Sequence, residues 1–147
     1  MSIEQLTDDT RTSLTTLFSE LVDGAATGGG AFVLNSGDAG LLRSLDKLSA
    51  ADASRSVHGG ATIAAHARHL RYGLSLMNRW ASEGGNPFAD AKWDEAWKTR
   101  DVDDGSWTEI RNGLRDETHR WLQVLNSPRD VADVEFLSGR GHDLHHP

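Results

Sequence analysis

Residues 62–80, TIAAHARHLRYGLSLMNRW, decide the fold of this chain because they hold its strongest helical pattern. Apolar side chains recur there at intervals of three and four residues, which is typical of a helix that buries one face. Thr62 follows a Gly-Gly pair and is a suitable N-cap, so we predict a helix from there to about Ser82. At about 100° per residue, the apolar face holds Ile63, His66, Leu70, Gly73, Met77 and Trp80, with His69 on its flank. We therefore expect both histidines to point toward the buried side.

The same helical spacing occurs on both sides of this stretch. It predicts a first helix over residues 3–22, with Leu6, Leu14, Leu17, Phe18, Leu21 and Val22 on its buried stripe. It also predicts a later helix that begins at residues 106–109, SWTE, which read as a capping box. That helix carries Trp107, Ile110, Leu114, Trp121, Leu122 and Leu125 and ends at residues 126–128, NSP.

Two connections separate these helices. In the first, Ser36 or Asp38 is expected to cap a short helix, and Ser49 with Asp52 fits a further turn. The short helix would carry Leu41, Leu42, Leu45 and Leu48. The second connection, residues 83–105, is rich in turn formers and is predicted to wrap the surface. Its two tryptophans, Trp93 and Trp97, stand one helical turn apart and are expected to attach it to the bundle.

These patterns predict an all-α protein with one domain over residues 1–147. Three strong helical segments and a weaker one at 131–137, without an alternating run, favour an up-down-type four-helix bundle. Gly139 and Gly141 disfavour a helix, so we expect the fourth helix to be short or incomplete.

Composition narrows the function. The chain has no cysteine, so any metal must bind to His, Asp or Glu. A formal net charge of −7 and scattered basic residues argue against nucleic-acid binding. Membrane insertion is not expected, because no apolar run approaches the roughly 20 residues that cross a bilayer. The N-terminal residues lack the pattern of a signal peptide, and we expect a cytoplasmic protein.

Two histidine pairs are candidate metal ligands. His66 and His69 lie about one helical turn apart, while His142 and His146 would share a face of a helical tail that also holds His145. Each pair also has an ordinary interpretation. The first pair suits polar packing inside a helix bundle, and the second suits a solvated chain end. A shared metal site and two unrelated histidine pairs both remain open at this point.

The order of segments resembles that of the DinB-like superfamily of four-helix bundles. The resemblance lies in LLRSLDKLSAADASR (41–55), GGATIAAHARHLRYGLSLMNRWASEG (59–84), the Trp-rich link and SWTEIRNGLR (106–115), and it covers about residues 41–125. That superfamily includes metal-dependent transferases that use low-molecular-weight thiols such as bacillithiol, and a related mycothiol-dependent isomerase. In it, one histidine of the second bundle helix and an H-x-x-x-H pair of the fourth bind a divalent metal.

The resemblance implies a metal site and a reaction. It assigns the metal to His69, with His66 as the close alternative, and to His142 and His146. The ion would be zinc, nickel or manganese, and the expected activity is thiol S-transfer with a low-molecular-weight thiol as substrate. A bound ion with an open position lowers the pKa of a thiol and supplies a thiolate near neutral pH.

Two other functions fit the same residues. A non-catalytic bundle with a degraded metal site would act as a dimerisation or interaction protein, since an unfinished fourth helix leaves apolar surface for a second subunit. We expect a homodimer. A metal-dependent hydrolase would use the same site with water as the nucleophile. Arg68, Arg71 and Arg79 are candidate carboxylate-binding residues, although solvated arginines are the ordinary interpretation.

Overall fold

A computed structural model describes residues 3–25, 34, 37–56 and 59–127 of the chain. Six helices lie in this part: α1 (Ile3–Asp23), α2 (Gly40–Asp46), α3 (Ala50–Ala53), α4 (Ile63–Glu83), α5 (Trp93–Trp97) and α6 (Asp104–Asn126). No β-strand occurs among these residues, and an isolated antiparallel bridge joins Ser56 to Thr62. The all-α prediction is confirmed, as are the positions of the three long helices.

The core lies where α4 packs against α6. Small side chains on α4 let the two helices approach closely, and larger ones on α6 fill the remaining space. The buried cluster consists of Val22, Leu42, Leu45, Ala50, Ala53, Ala64, Ala67, Leu74, Trp107, Ile110, Leu114, Trp121 and Leu125. Trp107 also fixes the first connection, because its indole Nε1–H donates to the carbonyl oxygen of Leu48 at 2.9 Å.

α4 and α6 run in the same direction. Near the middle of α4, Arg71 donates to the carbonyl oxygen of Glu109 at 3.5 Å. Seven residues later, Asn78 donates to the carbonyl oxygen of Glu117 at 3.0 Å. Because the contacts advance along both helices together, the two helices are parallel neighbours.

α1 runs opposite to α6. Arg11 donates to the carbonyl oxygen of Ser127 at 3.1 Å, beyond the C-terminal end of α6. Asp23, at the other end of α1, lies 3.0 Å from Nε2 of His119. The long helices α1 and α4 therefore run in opposite directions, whereas α4 and α6, which a long crossover joins, run in the same direction.

The crossover, residues 84–103, returns along the length of α4. A 21-residue helix is about 30 Å long, so the connection must cover that distance before α6 begins. Its aromatic contacts follow α4 backwards: Phe88 lies against Trp80, Trp93 against Tyr72, and Trp97 against His66. The prediction that Trp93 and Trp97 attach this segment is confirmed.

A glycine pair allows α1 and α2 to meet. Gly24 and Gly40 have φ values of +104° and +77°, and a Cβ on Gly40 would collide with the backbone of Gly24. Asp38 accepts the amide of Gly40 at 2.9 Å, although the N-cap itself is Ala39 and its side chain makes no capping bond. The alternative cap, Ser36, lies outside the described residues.

Two predicted helix starts are confirmed. The Thr62 hydroxyl accepts the amide of Ala65 at 3.1 Å and caps α4. Ser49 and Asp52 form a reciprocal capping box at α3, with bonds of 3.0 and 3.4 Å. Each bond satisfies an amide that has no partner within the first turn of its helix.

The predicted capping box at residues 106–109 is wrong. The helix begins one turn earlier, with Asp103 as N-cap, and the carboxylate of Asp103 accepts the amide of Ser106 at 2.7 Å. That bond lowers the pKa of Asp103 below its usual value of 3.8. Ser106 therefore lies inside the first turn. An acidic side chain suits this position because it also faces the positive end of the helix dipole.

The predicted buried face of α4 is partly wrong. His66 is exposed and Leu70 is 40 % exposed. The buried positions are instead Ala64, Ala65, Ala67, Leu74, Leu76 and Asn78. The prediction gave more weight to the larger side chains. Three of the buried positions are instead alanines, whose small side chains permit close contact with α6. The face with the histidines is only partly covered, by the tryptophans of the crossover.

Several predictions concern residues that the structure does not describe. They are the fourth helix at 131–137 and the effect of the glycines at 139 and 141 on it. In the described ranges, no helix has the length together with the apolar character that crossing a bilayer requires.

Candidate functional site

The histidine face of α4, formed by His66, His69 and Gly73, packs against the two crossover tryptophans. The His69 ring is stacked on Trp97, with centroids 4.1 Å apart and planes 22° apart, and lies 5.2 Å from Trp93. Trp93 approaches α4 over Gly73, where a Cβ would lie 3.5 Å from its ring. The stacking fixes the orientation of the His69 ring plane. A ligand of the ring nitrogens would have to approach in that plane, at the edge of the ring.

His69 has an unusual nitrogen. Its Nδ1 is buried and has no hydrogen-bond partner within the part of the chain that the structure describes. A buried polar atom without a partner destabilises the fold by about 1–3 kcal/mol. His66 differs, because it is exposed and meets only the edge of Trp97, at 5.0 Å between centroids. Of the two histidines on α4, His69 is therefore the one with a buried ring nitrogen that a ligand could satisfy.

A polar groove lies beside this face, between α4, the crossover and α6. Its volume is about 910 Å³. We call it the α4–α6 groove and define it by Arg68, Arg71, Tyr72, Thr99, Glu109 and Glu117, which lie along its walls. The guanidinium groups come from α4 and two of the carboxylates from α6, so the two helical walls have opposite charge.

Several charged groups of the groove are held in place. Arg68 donates to the hydroxyl of Thr99 at 2.7 Å. Arg71 crosses α6 over Gly113, where a Cβ would collide with its guanidinium group. The glycine inside α6 thus has a packing reason, which offsets its low helix propensity.

Glu117 is anchored from both sides. Asn78, which is only 4 % exposed, donates from Nδ2 to its carboxylate at 2.8 Å, and Arg120 donates to the other oxygen at 3.0 Å. The Glu117 side chain is 15 % exposed, so its charge lies at the base of the groove. Asn78 Oδ1 has no partner among the described residues.

The predicted metal ligands are placed only in part. His69 and His66 lie on the histidine face, and His142 and His146 lie outside the described residues. Within residues 3–25, 34, 37–56 and 59–127, no three side chains of the His, Asp or Glu type are grouped as metal ligands. His119 is exposed, and its Nε2 lies 3.0 Å from a carboxylate oxygen of Asp23. The four-residue metal assignment therefore stays a prediction.

Sequence reasoning missed Thr99 of the groove and Asn78, which donates a hydrogen bond to the groove residue Glu117. Asn78 stands among apolar positions of α4, and a polar side chain on a buried stripe is a signal that it has a partner. Thr99 gave no such signal, because its role depends on the path of the crossover. Arg68 and Arg71 are two of the predicted candidate carboxylate-binding residues, and the structure brings both to the same groove.

The fold and the site define a class: an α-helical bundle with parallel neighbouring helices, a long aromatic crossover and a histidine on the second long helix. The sequence matches the DinB superfamily over residues 36–142, and the chain belongs to that superfamily. Searches of curated proteins and of solved structures found no match to this chain.

Proposed function

We propose that this protein is a divalent-metal-dependent enzyme that transfers a group to or from a low-molecular-weight thiol. Membership of the DinB superfamily supports the proposal. The thiol follows from the resemblance to thiol-using members of that superfamily. A proposal about the metal needs an observation on this chain itself.

That observation is the buried, unpartnered Nδ1 of His69. A cation at this nitrogen would remove the free-energy cost of leaving it unsatisfied. The donors available also fit, because imidazole is a common ligand of zinc, nickel and other transition metals. In our proposal His69 binds the ion together with His142 and His146, and His66 is the alternative ligand on α4. The ion would lower the pKa of a bound thiol.

In this proposal, the residues that the structure describes orient the ring of His69. Trp97 and Trp93 hold the ring of His69 at a fixed angle, which reduces the conformational entropy lost when the ring binds a ligand. The crossover also covers one side of the ring and limits the access of water. Substrates would approach from the exposed edge of this face, next to the α4–α6 groove.

Equilibrium dialysis against zinc, nickel and manganese tests the proposal. We expect about one equivalent of bound metal per chain for the wild type and a loss of it in His69→Ala and in the double variant His142→Ala/His146→Ala. His66→Ala is the matched control on the same helix. Less than about a tenth of an equivalent in the wild type would contradict metal binding. Retention in His69→Ala with loss in His66→Ala would move the α4 ligand to His66.

A second candidate function is an interaction protein that forms a homodimer. The observation in its favour is a pair of exposed leucines on α1: Leu14 is 38 % and Leu21 is 46 % exposed. They are seven residues apart, so they share one face of the helix. Light scattering on the wild type and on Leu21→Glu tests it, and a monomeric wild type would contradict it. Melting with and without chelator separates the two functions, because only a metal-binding fold gains stability from the ion.

A further inference from the structure

The α4–α6 groove has charges that the proposed metal site does not use. Neither His66 nor His69 is among its lining residues. Arg68 has a hydroxyl partner, Thr99, and no carboxylate partner in the described part of the chain. Arg71 has a long ion pair, 3.9 Å, with Glu109, a glutamate that is 77 % exposed, and a 3.5 Å hydrogen bond to the carbonyl oxygen of the same residue. Both guanidinium groups therefore retain donors for an anionic group.

The opposite wall carries negative charge. Glu117 is mostly buried, and its carboxylate accepts hydrogen bonds from Asn78 and Arg120. A carboxylate held in the same groove as two guanidinium groups suits a ligand with charges of both signs. Tyr72 adds a hydroxyl, whose oxygen already accepts the amide of Lys92 at 2.8 Å and whose hydrogen remains available to a ligand.

We propose that the α4–α6 groove binds a small zwitterion, with its carboxylate on Arg68 and Arg71 and its ammonium group on Glu117. This proposal goes beyond the metal-dependent activity and does not depend on it. A dianion would meet the repulsion of Glu117, and a dication that of the two arginines. The groups are also fixed before binding: Thr99 holds Arg68, and the absence of a side chain at Gly113 makes room for Arg71.

Three compounds with the same four-carbon length separate the charge types. They are 4-aminobutanoate, succinate and 1,4-diaminobutane, titrated by NMR into ¹⁵N-labelled, chelator-treated protein. We expect saturable shifts at the groove with 4-aminobutanoate and a Kd at least about tenfold lower than for either of the other two. Equal affinity for succinate, or the absence of saturable shifts with 4-aminobutanoate, would overturn the proposal.

Four variants locate the site. Arg68→Gln and Glu117→Gln each remove one charge and are expected to raise the Kd for 4-aminobutanoate at least about tenfold. Gly113→Ala displaces Arg71 without removing a charge and should raise the Kd as well. Arg79→Gln, on the same helix but outside the groove, is the control and leaves the Kd unchanged. Unchanged binding in Arg68→Gln, with the variant folded by circular dichroism, would overturn the assignment.

The two proposals fail separately. His69→Ala removes the proposed metal ligand and leaves the groove, so it should bind 4-aminobutanoate as the wild type does. A loss of zwitterion binding in folded His69→Ala would place the binding at the histidine face and contradict the groove.

Discussion

Helix α4 has two faces that are packed by different means. Toward α6 it presents small side chains such as Ala64 and Ala67, and the large core residue there, Trp107, comes from the partner helix and is 2 % exposed. Toward the crossover it presents the histidine face, where His69 stacks on Trp97, which is 38 % exposed. One face excludes water completely and the other does so only in part.

We expect one face of α4 to stabilise the fold and the other face to bind ligands. Buried apolar area stabilises the fold by about 25 cal/mol per Å², so the α6 side should hold most of the folding free energy. The crossover side keeps polar groups such as His66 and Arg68 exposed to solvent, where a ligand can reach them. Local stability is lower on such surfaces, which is a common property of binding regions.

The largest effect is expected from Trp107→Ala. It removes a fully buried ring and its hydrogen bond to Leu48. We predict a loss of about 3–5 kcal/mol in the free energy of unfolding, measured by chemical denaturation. A loss below about 1 kcal/mol would show that the α6 side of α4 is not the face that stabilises the fold.

The contact between α1 and α2 allows a second test of stability, at the edge of the core. Gly40→Ala must adopt a φ of +77° and push against the backbone of Gly24, whereas Gly59 has the same φ with nothing within 4 Å. We predict a loss of about 1–2 kcal/mol for Gly59→Ala from the left-handed conformation alone, and a larger one for Gly40→Ala. Thermal melting measures both. Equal losses would show that the close approach has no energetic weight.

A smaller effect is expected on the crossover side. Trp97→Ala removes the stack on His69 and the edge contact with His66. Aromatic pairs contribute about 0.5–1.5 kcal/mol beyond their area, so we predict a loss of roughly 1–2 kcal/mol in the free energy of unfolding. Denaturation gives the value. A loss as large as that of Trp107→Ala would remove the contrast between the two faces.

The smallest effect concerns the start of α6. The hydrogen bond from the amide of Ser106 lowers the pKa of Asp103 below its value in the unfolded chain. The ionised carboxylate therefore stabilises the fold at pH values above the unfolded pKa. This stabilisation is lost as the pH falls through the lower, folded pKa. We predict that Asp103→Ala lowers the melting temperature at neutral pH more than Ser106→Ala does, and that the loss shrinks toward about pH 2. A loss independent of pH would contradict the assignment of the cap.

The sequence was informative where local chemistry decides structure. Thr62 and the spacing after it predicted the start of α4 to the residue, and the spacing placed the end of α4 within one residue. Which face is buried depends on the neighbours of the helix. A pattern weighted by large side chains chose His66 and Leu70, and it could not foresee that the path of the crossover would leave the alanine face to the core.

The candidate site shows the same limit. The sequence predicts separate roles for His69 and the two tryptophans, because their stacking requires the crossover to run back along α4. Asp103 had the same cap chemistry as Ser106, and the match of SWTE to a capping box concealed it. Metal ligation by His142 and His146 depends on residues outside the described ranges.

X-ray absorption at the metal edge tests whether His69 binds a metal, because it reports the ion and its ligands together. We predict that the metal-loaded wild type shows an imidazole coordination shell, and that His69→Ala shows one imidazole fewer or no bound metal while His66→Ala matches the wild type. A wild-type spectrum without imidazole ligands, or an identical one for His69→Ala, would contradict the account.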